Sequence, residues 1–230
     1  MHRDAPTDEL GKDGGSKASY TLSRALVALD PATSTQAEEF RALRTRVMAR
    51  HIGEGRRALA VCASTSSVGC TFVAANLALA LSQIGVKTLL VDANLRSPGV
   101  DQLFARSSPA PGLAQCLATP NAPFSEFIQD DVFPDLSVLF AGAKPPNPQE
   151  LLATDRFAEL MSFCLRDYDA TIIDTPPANV CSDVNRVSTV VGYSLVVAGR
   201  NRSLISDVRT LIRQLENDRA RVVGTVMTEA

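Results

Sequence analysis

Short apolar runs of strand length alternate with helical patterns along most of the chain, and this alternation narrows the fold more than any other feature. The runs lie at 58–63, 87–92, 136–141, 170–174, 193–198 and 221–227. Helical patterns occupy 71–84, 151–166 and 203–217 between them. Several runs are apolar on both faces, as strands covered by helices on either side must be. Parallel strands need crossovers, and helices supply them. The expected fold is therefore a doubly wound α/β domain with a mainly parallel sheet flanked by helices.

The expected organisation is a flexible arm over 1–35 and a single α/β domain over 36–230. The arm is polar and interrupted by Pro6, Gly11, Gly14, Gly15 and Pro31. The domain opens with a helix over 36–50, with Ser34 or Thr35 as its N-cap. The Pro-, Ser- and Gly-rich stretch 97–125 reads as a long surface connection.

Composition removes several function classes. At 230 residues with 45% hydrophobic and 21% charged positions, the chain has enough apolar material for a real core. A net charge of −2 provides no basic field for nucleic acid. No apolar run reaches the roughly 18 residues of a membrane helix. The five cysteines show no C-x-x-C spacing, and with two histidines a structural zinc site is not expected.

The chemistry centres on S-T-S-S-V-G-C-T at 64–71, between a strand and a helix. A phosphate-binding P-loop has that layout and reads G-x-x-x-x-G-K-[ST]. Gly69 and Thr71 fit the motif, whereas Cys70 stands at the lysine position, and Ser66 and Ser67 stand where smaller residues ease backbone approach. Taken alone, the stretch is either a P-loop without its cation or a plain β–α turn. Cys70 is either a thiolate favoured by a helix N-terminus or a small residue filling the lysine's space, and the second reading is the simpler. Asp92 and Asp174 each close an apolar run, where Mg²⁺-coordinating carboxylates sit beside a P-loop and where turn-capping aspartates sit as well.

Taken together, these segments resemble the cytoplasmic P-loop domain of the bacterial tyrosine kinases that serve capsule and exopolysaccharide export. The resemblance runs from Glu38 to Thr228. It comprises E-E-F-R-A-L-R-T (Glu38, Arg41 and Arg44 of an E-x-x-R-x-x-R helix), S-S-V-G-C-T as Walker A, and L-L-V-D-A-N-L-R as Walker A′. P-P-N-P-Q-E-L-L at 145–152 and I-I-D-T-P-P, the Walker B, complete it. Chromosome- and division-site-partitioning ATPases share only the N-L-A…L-L-V-D portion.

The resemblance implies a nucleotide cradle of Ser66, Ser67, Val68, Gly69, Cys70, Thr71 and Phe72. It also implies weak Mg²⁺ binding by Thr71, Asp92 and Asp174, holding ATP or ADP weakly or not at all. In the family the Arg-rich helix reaches a neighbouring protomer, so Glu38, Arg41 and Arg44 are expected at a homo-oligomer contact rather than on a plain solvated face. The departures are Cys70 for the lysine, Asn94 for the second Walker A′ aspartate, and no C-terminal tyrosine cluster. Tyr20, Tyr168 and Tyr193 are isolated. The expectation is a pseudokinase with no catalytic residue assigned, Asp92 and Asp174 being remnants. It would sit in the cytoplasm, peripheral to the inner membrane through the tails of a polysaccharide copolymerase, in a capsule, slime or holdfast-like system. An active kinase or ATPase and a partitioning-type ATPase are the alternatives.

Overall fold

The computed structural model describes residues 19–31 and 33–229. In chain order the elements are β1 (Tyr20–Leu22), α1 (Thr35–Arg50), β2 (Ala58–Ala63), α2 (Cys70–Ser82), β3 (Thr88–Asp92), α3 (Val100–Leu103), β4 (Phe104–Arg106), α4 (Leu113–Ala118) and β5 (Gln129–Phe133). They continue with β6 (Leu136–Leu139), α5 (Pro148–Ala153), α6 (Asp155–Asp167), β7 (Ala170–Asp174), α7 (Asp183–Val191), β8 (Tyr193–Gly199), α8 (Ile205–Asn217) and β9 (Arg221–Thr228).

A seven-stranded sheet runs in the order β5-β6-β3-β7-β2-β8-β9. Every pairing in it is parallel except β5 with β6. Strands β2, β3 and β7 are buried along their whole length, which explains their predominantly apolar sequences: neither face meets water. One face packs against α4 to α8 through Leu117, Phe157, Leu160, Val187 and Leu211. The other packs against α1 and α2 through Phe40, Val47, Leu77 and Leu81. This is the doubly wound architecture expected from the sequence.

Four expectations are corrected. First, the described part of the stretch expected as an arm over 1–35 is folded. From Ser19 the chain is part of the fold, and residues 1–18 lie outside the described residues. Strand β1 pairs antiparallel with β4. Leu26, Val27 and Ala28 are buried against α2, because A-L-V-A-L is apolar enough to outweigh its polar flanks.

Second, 97–125 is not simply a surface connection. Val100, Phe104, Leu113, Ala114, Cys116 and Leu117 are all buried. Gly112 lets this segment press on the sheet, since a Cβ there would lie 2.2 Å from the Phe140 carbonyl oxygen. Third, the helix expected over 151–166 begins earlier and is broken. Thr154 is extended, dividing it into α5 and α6, and its hydroxyl donates to the Leu151 carbonyl at 2.7 Å. Fourth, α7 and β5 had no counterpart among the expected elements. The Ser34 cap is present: its Oγ accepts from the Ala37 N–H at 3.4 Å.

Candidate nucleotide site

The carboxyl ends of β2, β3 and β7 converge, and Asp92 and Asp174 are register partners across β3 and β7. Ligands in open α/β sheets bind at such strand ends. A cavity of about 360 Å³ opens there, lined by Thr65 to Phe72, Asn94, Arg96, Ser97, Thr175 to Pro177 and Val180.

The loop after β2 has the backbone of a phosphate cradle. Gly69 is left-handed with φ 84° and begins α2, and Ser67 is also left-handed with φ 58°. The first N–H groups of α2 have no acceptor within the helix and are available to an anion. Ser66 and Ser67 are exposed, and the loop is fastened from outside. Ser66 Oγ donates to Asn179 Oδ1 at 3.4 Å, and Arg202 Nη1 donates to the Ser67 carbonyl at 3.0 Å. Thr228 Oγ1 donates to the Val68 carbonyl at 2.6 Å. Asn179, Arg202 and Thr228 were not foreseen. They lie 113, 135 and 160 positions along the chain from their partners, and no local pattern marks them. Phe72 meets Phe40 of α1 edge to face, with ring centroids 5.5 Å apart.

Cys70 does not replace the lysine's chemistry. Its Sγ donates to the Val61 carbonyl at 3.1 Å. Burial first, and the charge of Asp174 second, push its thiol well above the ordinary range. It is therefore a neutral thiol, the space-filling reading rather than the reactive one.

Thr71 Oγ1 donates to Asp174 Oδ2 at 2.6 Å. The other oxygen, Oδ1, is buried with no hydrogen-bond partner among the described residues. Burial, reinforced by the Asp92 charge, raises the Asp174 carboxyl to about 8. Asp92 is tied into the backbone: Oδ1 accepts from the Asn94 N–H, and Oδ2 from those of Gly99 and Val100, each at 3.1 Å. Burial raises it to about 6 against those hydrogen bonds. Asp92 thus organises the turn into α3, and Asn94 Oδ1 continues that turn by accepting from the Ser97 N–H at 3.1 Å.

Among the described residues no cluster of three or more His, Cys, Asp or Glu side chains could hold a metal ion alone. Mg²⁺ in phosphate sites takes one or two protein oxygens and completes its shell with phosphate and water. The orphaned Asp174 Oδ1 beside the Thr71 hydroxyl fits that pattern. Bound there, Mg²⁺ would neutralise phosphate charge.

On α1 the predicted trio shares one side of the helix, yet its arginines are partly engaged within the chain. Arg41 pairs with Glu38 at 3.1 Å and donates to the Asp30 carbonyl at 3.4 Å. Arg44 Nη1 donates to the Ala80 carbonyl at 3.3 Å.

No family model matches the chain. Individual proteins do. EpsB of Ralstonia nicotianae, which bears a tyrosine-protein kinase name, is 33% identical over 210 residues, covering 91% of this chain but 27% of EpsB. The kinase domain of the Escherichia coli tyrosine kinase Etk superposes with a TM-score of 0.82 at 29% identity, over 99% of this chain and 82% of that domain. CapB of Staphylococcus aureus, which bears the same kind of name, is 30% identical over 200 residues, or 87% of each chain. A likeness that extends over nearly the whole of both chains, in sequence as in fold, places this protein in the bacterial tyrosine-protein kinase family.

Proposed function

We propose that the protein is a catalytically silent member of its family. It would act as a cytoplasmic component of an exopolysaccharide, capsule or adhesive-polysaccharide export system, beside an inner-membrane polysaccharide copolymerase. The observation that carries the silence is Cys70, a neutral thiol bonded to the Val61 carbonyl at the position of the phosphate cation. A cation at the transferred phosphoryl group contributes about 10³–10⁵ in rate. A positioned base contributes about 10²–10⁴ more, and the amide of Asn94 cannot accept a proton near neutral pH. Thr71 and Asp174 support retention of a magnesium nucleotide as a structural ligand.

The test is turnover by the purified protein, supplied with ATP and Mg²⁺ and followed by phosphate release and phosphotyrosine. No signal above background is expected. Phosphotyrosine that disappears in Asp174→Asn would favour the second reading, an active kinase with a non-standard loop, for which the Thr71–Asp174 pair is the specific support. Pull-down with the cytoplasmic tails of a copolymerase tests the partner, and capture is the expected outcome.

A further inference from the structure

Fifteen of the described residues line the cavity at the strand ends, and Arg96 is the only charged one among these. It stands on the turn after β3, on the wall formed with Asn94 and Ser97. Its Nε and Nη2 donate to Asp183 Oδ2 and Oδ1 at 2.8 and 3.2 Å. This fork fixes the guanidinium plane. Asp183 is buried in the first turn of α7 and does not line the cavity, so it grips Arg96 from behind. Asp183 engages two of the five N–H groups of the guanidinium and the Cys181 side chain adjoins it as well, which leaves at least two for an acceptor in the cleft. The Asp183 hydrogen bonds also raise the arginine further above its ordinary range, so its charge is permanent.

An anion entering the cavity meets the free N–H groups of α2 on one side and this held cation on the other. We propose that Arg96 supplies, from the Walker A′ turn, the positive charge on the nucleotide polyphosphate that position 70 of the P-loop no longer supplies. The inference rests on the nucleotide reading of the cavity and identifies a residue that makes binding feasible without the lysine. Asp183 is a positioning residue in this scheme. It carries no contact to the ligand and sets the plane in which Arg96 meets it.

Calorimetric titration with ADP and Mg²⁺, comparing wild type, Arg96→Ala, Arg96→Lys, Cys70→Lys and the double variant Cys70→Lys with Arg96→Ala, tests this. Arg96→Ala should weaken binding by about ten- to a hundredfold, the range of a charge-assisted contact. Arg96→Lys should retain part of the affinity, because a lysine keeps the charge and loses the fork. In the double variant, Cys70→Lys should restore what Arg96→Ala removes.

Arg96→Ala leaves the buried Asp183 without its partner and can fail to fold. Arg96→Gln with Asp183→Asn removes both charges together and should show the same loss. Wild-type affinity in that variant, or a wild type that binds nothing while Cys70→Lys binds, overturns the role of Arg96 and leaves the nucleotide reading intact. Failure of both wild type and Cys70→Lys to bind overturns the nucleotide reading and the role of Arg96 with it.

Discussion

Thr71 Oγ1 donates to Asp174 Oδ2 at 2.6 Å, while the other oxygen of this buried carboxyl has no hydrogen-bond partner among the described residues. With Oδ1 orphaned and Asp92 alongside, burial pushes the Asp174 carboxyl of the folded protein up to about 8, which favours the form that keeps its proton. The unfolded chain releases it near the ordinary value of 3.8. The folded value is the raised one, so this group's stabilisation is complete below about pH 4, declines above it, and is lost as pH rises through about 8. Melting temperature at constant ionic strength should therefore fall between pH 5 and 9, and Asp174→Asn, which mimics the protonated acid, should flatten that fall. Mg²⁺ should raise the melting temperature more at pH 9 than at pH 6, since it binds the ionised form. A wild-type profile parallel to that of the Asn variant would show that Asp174 is ionised throughout.

Asn76 carries a structural prediction about the segment before α1. Its side chain is fully buried and accepts from the Ala28 N–H at 2.9 Å, while Nδ2 donates to the carbonyls of Ala25 and Phe72 at 3.0 and 2.9 Å. Asn76→Ala leaves three backbone groups without those partners. The expected cost is about 2–4 kcal/mol, from the ~1–3 kcal/mol of each unsatisfied buried group less relaxation and water entry. Denaturant unfolding measures it, and a change below about 1 kcal/mol would mean that the segment is not held through Asn76.

The sequence revealed what is local or periodic. Central strands such as Ala170–Asp174 end where their apolar runs end, because burial on both faces leaves little room for polar side chains inside them. Cys70 stood out because it breaks a short motif. Arg202 and Thr228, which fasten the P-loop, were illegible because each meets its carbonyl only after the sheet has brought β8 and β9 beside β2 and α2. The segments around Leu26 and Leu113 were misread for a related reason. Their flanks carry Pro, Gly and Ser, and the burial of a few apolar residues against an existing core outweighs that punctuation. The break at Thr154 leaves no periodic trace, since α5 and α6 both continue an amphipathic pattern.

Catalysis gives a gain-of-function prediction. If silence comes from the missing cation and the missing carboxylate, then Cys70→Lys with Asn94→Asp should gain measurable ATP hydrolysis, and neither single variant should match it. Cys70→Lys alone should tighten nucleotide binding by roughly ten- to a hundredfold. Phosphate release under saturating Mg²⁺ and ATP is the readout. A double variant as inert as wild type would place the defect in the loop backbone, where Ser67 is held at φ 58° with its carbonyl bonded to Arg202.

Assembly depends on α1. Glu38, Arg41 and Arg44 are three residues apart, and three residues advance roughly 300° around a helix, so neighbours in the series share a side. Arg41 and Arg44 each donate to a backbone carbonyl of their own chain, and Arg41 also pairs with the exposed Glu38 carboxylate, which holds both guanidinium groups in place. Guanidinium groups held in this way suit carboxylates on a second copy. Phe40, from the buried side of the same helix, touches Phe72 at the cavity, so a contact on α1 would also bear on the nucleotide site. Arg41→Ala with Arg44→Ala should lower self-association measured by light scattering. The melting temperature should fall by only a few degrees, because the two carbonyl hydrogen bonds are peripheral and each contributes about 1 kcal/mol or less. Added nucleotide should promote self-association of the wild type more than of the double variant. If the double variant assembles like the wild type, α1 is a solvated face and its arginines serve only to fasten the helix to Asp30 and Ala80.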